Sequence, residues 1–384
     1  MDIKKFFLFS LILCLILGLF SCCIYNLDEN DSIKIPVILP ITQDKVFMGV
    51  EVLKTLELAF EEINLNGGIN GRNVELVVYD GECDMEKSQL VANKLVDEGY
   101  KIIVGGYCSD ETVGASLVTQ NNEVLLFSPS SRSSRISGMG DFIFRTILSI
   151  KLTGVKLGNV VFEDGGRKVA IVTEFSDYSD SLRKNFIDGF LNSEGVNSSG
   201  EIVLDEYFEI GQLDYSEIME KIRLSDADSL VMFFQGSVGA ERFVSQLFDS
   251  GIRLNLYSDV ILTLNDVFVP YVDFLDGLKL VSVRVDSDLK KHSKFIENFK
   301  GKYGTDLNPN SLNYFYYSTA YDLPFILKEA MMGCSEFDSF CVRDNLNNVV
   351  YEGLSGEISF DVNGDPNLDI GVFEIVGDRF VLIE

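Results

Sequence analysis

The sequence predicts an α/β fold of two Rossmann-like lobes, each built on a parallel sheet. Three observations predict it. Short apolar runs alternate with stretches whose apolar residues recur at helical spacing, which is the mark of βαβ units and parallel pairing. The alternation runs twice, with a break near Phe144-Arg145-Thr146. The length, 384 residues, suggests about two domains.

The chain opens on a leader. MDIKK supplies positive charge, FFLFSLILCLILGLF (Phe6 to Phe20) is apolar, and Ser21-Cys22-Cys23 follows. Leu19-Phe20-Ser21-Cys22 is similar to a lipobox, with Cys22 as the residue that takes a lipid. An uncleaved anchor is the rival, because Phe6 to Tyr25 is about 20 residues, enough to span a bilayer. Plain secretion is the third reading. All three place the body outside the cytoplasm, and the first two tether it to the membrane. The leader is residues 1–22, and the polar residues 23–32 form a tether.

The first series starts at IKIPVIL (Ile33 to Leu39), a strand. Val52, Leu56, Ala59, Phe60 and Ile63 follow at helical spacing, and NLNGGINGR stops that helix. VELVVYD is the next strand. SQLVANKLVDEG is a helix ended by Gly99. KIIVGG is a strand, ETVGASLVTQNN a helix and EVLLFSPS a strand. The second series runs RKVAIVTE, YSDSLRKNFIDGFLNSEG, EIVLDEYF, YSEIMEKIRLSDAD, SLVMFFQG, AERFVSQLFDSGI and LNLYSDV, strand and helix in turn. KFIENFKGKYG and YYSTAYDLPFILKEAM are later helices. The end, from GEISFDVNGD to FVLI, predicts antiparallel strands with an Asn-Gly turn.

Composition excludes several functions. The net charge is −27, which argues against nucleic acid. With 46% hydrophobic residues, the chain can bury a large core. The body cysteines are Cys83, Cys108, Cys334 and Cys341, an even set in an oxidising compartment, so two disulfides are expected. No CxxC occurs among them and no histidine is near, so no metal site is expected. The single histidine, His292, lies in the charged run LKKHSKF and reads as a solvated surface residue. Without a histidine partner, Ser109 and Cys108 are weak nucleophile candidates. No phosphate-binding glycine motif occurs, and no cofactor is expected. DVNGDPNLD (Asp361 to Asp369) has its glycine in the wrong place for a calcium loop and reads as a hairpin turn.

VGGYCSDETVGAS (Val104 to Ser116) is the informative stretch. It joins a strand to a helix whose first-turn N–H groups favour an anion. Ser109 or Asp110 could instead cap that helix. Ligands of open parallel sheets sit beyond the carboxyl ends of strands. Ser109 is placed there, and so is SPSSRSSR (Ser128 to Arg135) after the neighbouring strand.

INLNGGINGRNVELVVYDGECD, LVANKLVDEG, KIIVGGYCSDET, SPSS, FRT, FIENFKGKYG with a following PN, and YEGLSGEISFDVNGD with GVFEI occur in this order. The chain resembles the leucine/isoleucine/valine-binding proteins, type I periplasmic receptors of ABC importers, over about Ile33 to Ile383. The resemblance implies a three-segment hinge near 146–151, 275–284 and 353–359. It implies one lobe of 33–148 plus 280–355 and another of 149–279 plus 356–384. It implies a Cys83–Cys108 disulfide, with Cys334 and Cys341 stapling a surface loop.

The resemblance also implies a ligand site. Ser109 matches a serine that bonds an α-carboxylate, Ser130 and Ser131 match the neighbouring carboxylate loop, and Tyr178 matches a tyrosine closing from the second lobe. The acidic residue for the amino group falls at Asp259, or Val260 takes its place. Gln235 stands at or beside an expected aromatic. Arg132 stands where the family has threonine, and it reads either as a surface residue or as a partner for a carboxylate. Ser149 and Ile150 replace an acid of the family. The expected function is an extracytoplasmic, monomeric substrate-binding protein, not an enzyme. Its ligand would be an amino acid of branched-chain type or a related small polar solute, and its partner a membrane permease. A sensing module of the same fold is the alternative.

Overall fold

The computed structural model describes residues 32–42, 47–192, 199–285, 289–334 and 338–384. The leader with its lipobox and Cys22, the tether up to Asp31 and residues 43–46 lie outside these residues.

The first sheet has the order β2-β1-β3-β4-β5, all parallel. Its strands are β1 (Ile33–Leu39), β2 (Val74–Asp80), β3 (Ile102–Gly105), β4 (Leu125–Ser128) and β5 (Ile143–Arg145). Helices α1 (Phe47–Leu65), α2 (Met85–Asp97) and α3 (Ser109–Thr119) alternate with them. The second half repeats the scheme: α4 (Ile150–Glu163), β6 (Lys168–Glu174), α5 (Asp177–Leu191), β7 (Glu201–Phe208), α6 (Ser216–Leu224), β8 (Ser229–Phe233), α7 (Ser237–Ser250) and β9 (Asn255–Ser258). A short α8 (Val272–Leu275), β10 (Lys279–Val283), α9 (Leu289–Tyr303), α10 (Phe315–Met331) and α11 (Ser339–Leu346) follow. The chain ends in β11 (Tyr351–Gly353), β12 (Gly356–Ile358), β13 (Ile370–Val376) and β14 (Arg379–Leu382). The second sheet has the order β14-β13-β10-β9-β8-β6-β7.

The central strands are mostly apolar because helices cover both sheet faces, whereas the edge strands β7 and β14 keep exposed residues. Every residue of β3, β4 and β8 is buried. Each such valine, leucine or phenylalanine contributes about 1.5–3 kcal/mol. No helix among the described residues is long and apolar enough to cross a membrane.

Four expectations change. Strand β10 pairs with β9 and β13, so it belongs to the second sheet, and the lobe boundary falls after Val283 instead of before Leu280. Its Leu280 and Val281 are apolar on opposite faces and need helices on both. Residues 356–365, expected in the second lobe, pack on the first: Phe360 sits 5.8 Å from Phe127 and 5.5 Å from Phe144, ring to ring. The third crossing is therefore 366–369. The Asn-Gly turn forms as expected, with Phe360 bridged antiparallel to Pro366 and the Gly364 N–H donating to the Asp361 carbonyl at 3.0 Å, and a further hairpin turning at Gly377 joins β13 to β14. His292 is buried, with Nδ1 2.9 Å from the Tyr314 hydroxyl. Helix α9 turns its Phe295 and Phe299 inward, and His292 shares their face.

Candidate ligand-binding site

The turn from β3 into α3 is over-determined. Cys108 occupies the cap position and Ser109 opens the helix, so neither Ser109 nor Asp110 caps it. Glu111 does the holding. Its carboxylate accepts from the backbone N–H groups of Tyr107 (3.0 Å), Cys108 (3.1 Å) and Cys83 (3.1 Å). Burial pushes this carboxyl up to about 8, against the three N–H donors. The glycines make room for it: a Cβ on Gly106 would lie 2.5 Å from Glu111 Cβ, and one on Gly81 2.3 Å from Oε1. A disulfide joins Cys83 to Cys108, with Cα atoms 5.2 Å apart, and another joins Cys334 to Cys341. Cys83, Cys108 and Glu111 cluster like metal ligands, but the sulfurs are bonded to each other and the carboxylate is engaged. Sequence reading missed Glu111, although an acid three residues after a cap is the signal.

The loop after β4 wraps this turn. The Ser131 hydroxyl lies within reach of the carbonyls of Gly106 (3.0 Å) and Cys108 (2.9 Å) and 2.5 Å from Thr112 Oγ1. Ser131 is fully buried, and through these contacts it braces the turn. Ser130 is buried beside it, its hydroxyl 3.5 Å from the Gly106 carbonyl. Ser109 Oγ accepts from the Ser133 N–H at 3.0 Å, so its own proton remains to donate.

Arg132 points inward. It is 2% exposed, which removes the surface reading. Its Nε donates to the Leu148 carbonyl at 3.3 Å, and its guanidinium carbon lies 5.1 Å from the Phe315 ring centre. Tyr107 and Tyr316, 5.7 Å apart ring to ring, stand in its field.

The second lobe contributes from the same edge, beyond the carboxyl ends of β6, β8 and β9. Tyr178, in the first turn of α5, is buried. Burial and then the Asp259 carboxylate push its hydroxyl well above the ordinary tyrosine range. Asp259, not Val260, carries the acid: it is 3% exposed, and its oxygens accept from the N–H groups of Phe234 (3.2 Å) and Ile261 (3.0 Å). Burial raises it to about 8, with those donors and Arg132 opposing. Glu174, which sequence reading missed, accepts from Gln235 N and Gly236 N at 2.8 and 3.2 Å and so shapes the Gln235 loop. Gln235 Nε2 reaches across to Cys108 Sγ at 3.7 Å. Ser149 caps α4 through the Lys151 N–H, and Ile150 is wholly buried, so neither faces the site with a charge.

Three polar atoms are buried here without a hydrogen-bond partner among the described residues: Arg132 Nη2, Tyr178 Oη and Gln235 Oε1. Gln235 also lines a cavity of about 280 Å³ that draws on both lobes, with Met48, Tyr107 and Cys108 on one side and Glu174 and Leu264 on the other; Arg132 and Tyr178 are not among its lining residues. Larger surface hollows, of about 380 and 460 Å³, are each made by one lobe alone and lie away from these groups. The lobes also touch directly. The Ser134 and Ser181 hydroxyls are 2.6 Å apart, and Arg135 pairs with Asp177. The arrangement can enclose a small polar molecule and shut out water.

Comparisons with known proteins agree with this geometry. Residues 32–379 match the family described as periplasmic binding protein. The leucine-, isoleucine-, valine-, threonine- and alanine-binding protein of Pseudomonas aeruginosa is 25% identical over 350 residues, which covers 90% of each chain. A branched-chain amino acid transporter substrate-binding protein from Streptococcus pneumoniae, solved with isoleucine, superposes with a TM-score of 0.76 at 24% identity, over 91% of this chain and 97% of that one. An ABC transporter solute-binding protein from R. palustris, solved with benzoate, gives 0.77 at 18% identity, over 92% and 95%. These two likenesses show the fold.

Proposed function

We propose, from the premise that the chain belongs to the periplasmic binding protein family, that it is the extracytoplasmic substrate-binding protein of an ABC importer and closes on an amino acid of branched-chain type or a related small polar solute. One observation carries the reading. Arg132 and, across the cleft, Tyr178 and Gln235 bury polar atoms with no partner among the described residues, and burying such atoms costs about 1–3 kcal/mol each unless something fills them. A ligand does so when the lobes close.

In this reading the ligand carboxylate lies at the start of α3, where first-turn N–H groups and the Ser109 hydroxyl meet it. Tyr178 and Gln235 close from the second lobe, and an ammonium group would face Asp259. Binding without chemistry is supported by the engaged groups: Cys108 is in a disulfide, and His292 is bonded to Tyr314. The names of the relatives support transport over sensing. The closed form would dock, as a monomer, on a membrane permease, with Cys22 as the lipid tether. Replacing Cys22 by alanine should release the protein from the membrane fraction.

The test is a thermal-shift screen of the purified full chain against amino acids, amides, dicarboxylates and purines. A bound ligand raises the melting temperature because it binds only the folded state. Ser109→Ala should then weaken the best ligand by about 1–3 kcal/mol. Unchanged affinity would remove Ser109 from the site, and silence across the panel would refute the receptor reading.

A further inference from the structure

Two arginines on neighbouring segments are buried, and only one is satisfied. Arg145, fully buried, donates from Nε to Asp365 (2.6 Å), from Nη1 to the Ser133 carbonyl (2.7 Å) and from Nη2 to the Ser137 hydroxyl (2.7 Å). Arg132 is 2% exposed, yet its bonds go to neutral groups, from Nε to the Leu148 carbonyl and to the Tyr316 side chain, and its Nη2 has no partner among the described residues. Among the described residues no carboxylate stands within 4.0 Å of it. A guanidinium does not shed its proton inside a protein. A buried cation without a counter-ion costs several kcal/mol.

The nearby acid does not supply that counter-ion. Asp259 acts on Arg132 only at a distance, and each of its oxygens is taken by a backbone N–H, from Phe234 and from Ile261. The other groups in the field of the guanidinium are the hydroxyls of Tyr107, Tyr178 and Tyr316. The missing charge must arrive with the ligand, and a planar guanidinium fits a carboxylate with two parallel hydrogen bonds.

We propose that Arg132 is the counter-ion of the ligand, so that the site selects small organic carboxylates by charge and an α-amino group is dispensable. The inference rests on the receptor reading and narrows its substrate class to amino, 2-oxo and 2-hydroxy acids of similar size. An ammonium group is accommodated against Asp259, but Asp259 is held by its backbone donors without it. A ligand with a cation and no anion is rejected, because it leaves Arg132 unpaired beside a second positive charge.

The experiment is isothermal titration of the full chain, purified in detergent, with leucine, its 2-oxo analogue 4-methyl-2-oxopentanoate, and leucinamide, in wild type, Arg132→Gln and Arg132→Lys. The expected result is binding of the first two within about tenfold of each other and no binding of leucinamide. Arg132→Gln should weaken both acids at least about 30-fold, and Arg132→Lys less. Melting curves of the unliganded variants check folding, and Arg132→Gln should melt no lower than wild type because it removes an unpaired charge. Arg132→Gln binding leucine as tightly as wild type would overturn the counter-ion role and leave the receptor reading standing. So would a 2-oxo acid more than about 100-fold weaker than leucine, for the dispensable amino group. No carboxylate bound by wild type, with benzoate and dicarboxylates included, would overturn both.

Discussion

Removing the carboxylate of Asp365 should loosen the binding loop from behind. Asp365 Oδ1 accepts from Arg145 Nε at 2.6 Å, and Oδ2 accepts from the Ser137 hydroxyl at 2.6 Å. Arg145 is fully buried, and its remaining partners are neutral: the carbonyls of Ser131 and Ser133 and the Ser137 hydroxyl. Asp365→Ala thus leaves a guanidinium inside the first lobe with no counter-ion, a change that typically costs about 3–5 kcal/mol. The Asp365 side chain is 14% exposed, so water can enter the vacated space, and the lower end, about 3 kcal/mol, is expected. Asp365→Asn keeps an acceptor and should cost about half. The carbonyls that Arg145 grips flank Arg132, so ligand affinity should fall along with stability. Urea unfolding followed by circular dichroism measures the first effect through the transition midpoint at constant slope, and isothermal titration measures the second. A midpoint for Asp365→Ala that corresponds to a change below about 0.5 kcal/mol would refute the reasoning.

Tyr178→Phe should separate stability from binding. Deleting an unpartnered buried hydroxyl should stabilise the empty protein by up to about 1 kcal/mol and weaken the ligand by about 1 kcal/mol; losses in both would make the hydroxyl structural. Asp110 sits across the cleft from Asp177, and burial and then that carboxylate raise it to about 6, with Arg135 opposing. A raised carboxyl costs stability while ionised, so lowering the pH from 7 to 5 should stabilise the closed protein as Asp110 takes its proton before an exposed carboxyl does. Asp110→Asn should remove about 1 kcal/mol of that gain after allowance for partial exposure, and an unchanged pH slope in urea melts would exclude it. Opening the Cys334–Cys341 bridge with Cys341→Ser should cost about 2 kcal/mol by freeing a short loop in the unfolded chain. An equal urea midpoint with and without reductant would contradict this.

Much of the fold was legible because parallel strands bury both faces. IKIPVIL, KIIVGG and SLVMFFQG are short, mostly apolar runs, and the strands they form are buried at every residue but Lys34. The edge that carries the site was legible too, since Ser109 and the SPSSRSSR loop both follow strands of one sheet. Some misreadings had a signal that was passed over. His292 lies three residues before Phe295 and seven before Phe299, an inward helical face inside a charged run. Glu111 stands where a capping acid belongs.

The sequence by itself determined which residues form strands and helices, the two-lobed α/β class and the edge where the candidate site lies. These follow from periodicity and from chain direction, which are local. The tertiary structure alone decided which polar groups at that edge are left without hydrogen-bond partners. SPSSRSSR reads as one polar loop. Yet Ser131 was spent on the turn from β3 to α3, Arg132 was sealed under Phe315, and Asp365 was brought against Arg145 from the far end of the chain. A side chain becomes a ligand partner when its neighbours leave its hydrogen bonds unfilled, and those neighbours lie up to 220 residues away in sequence. No local pattern encodes that remainder.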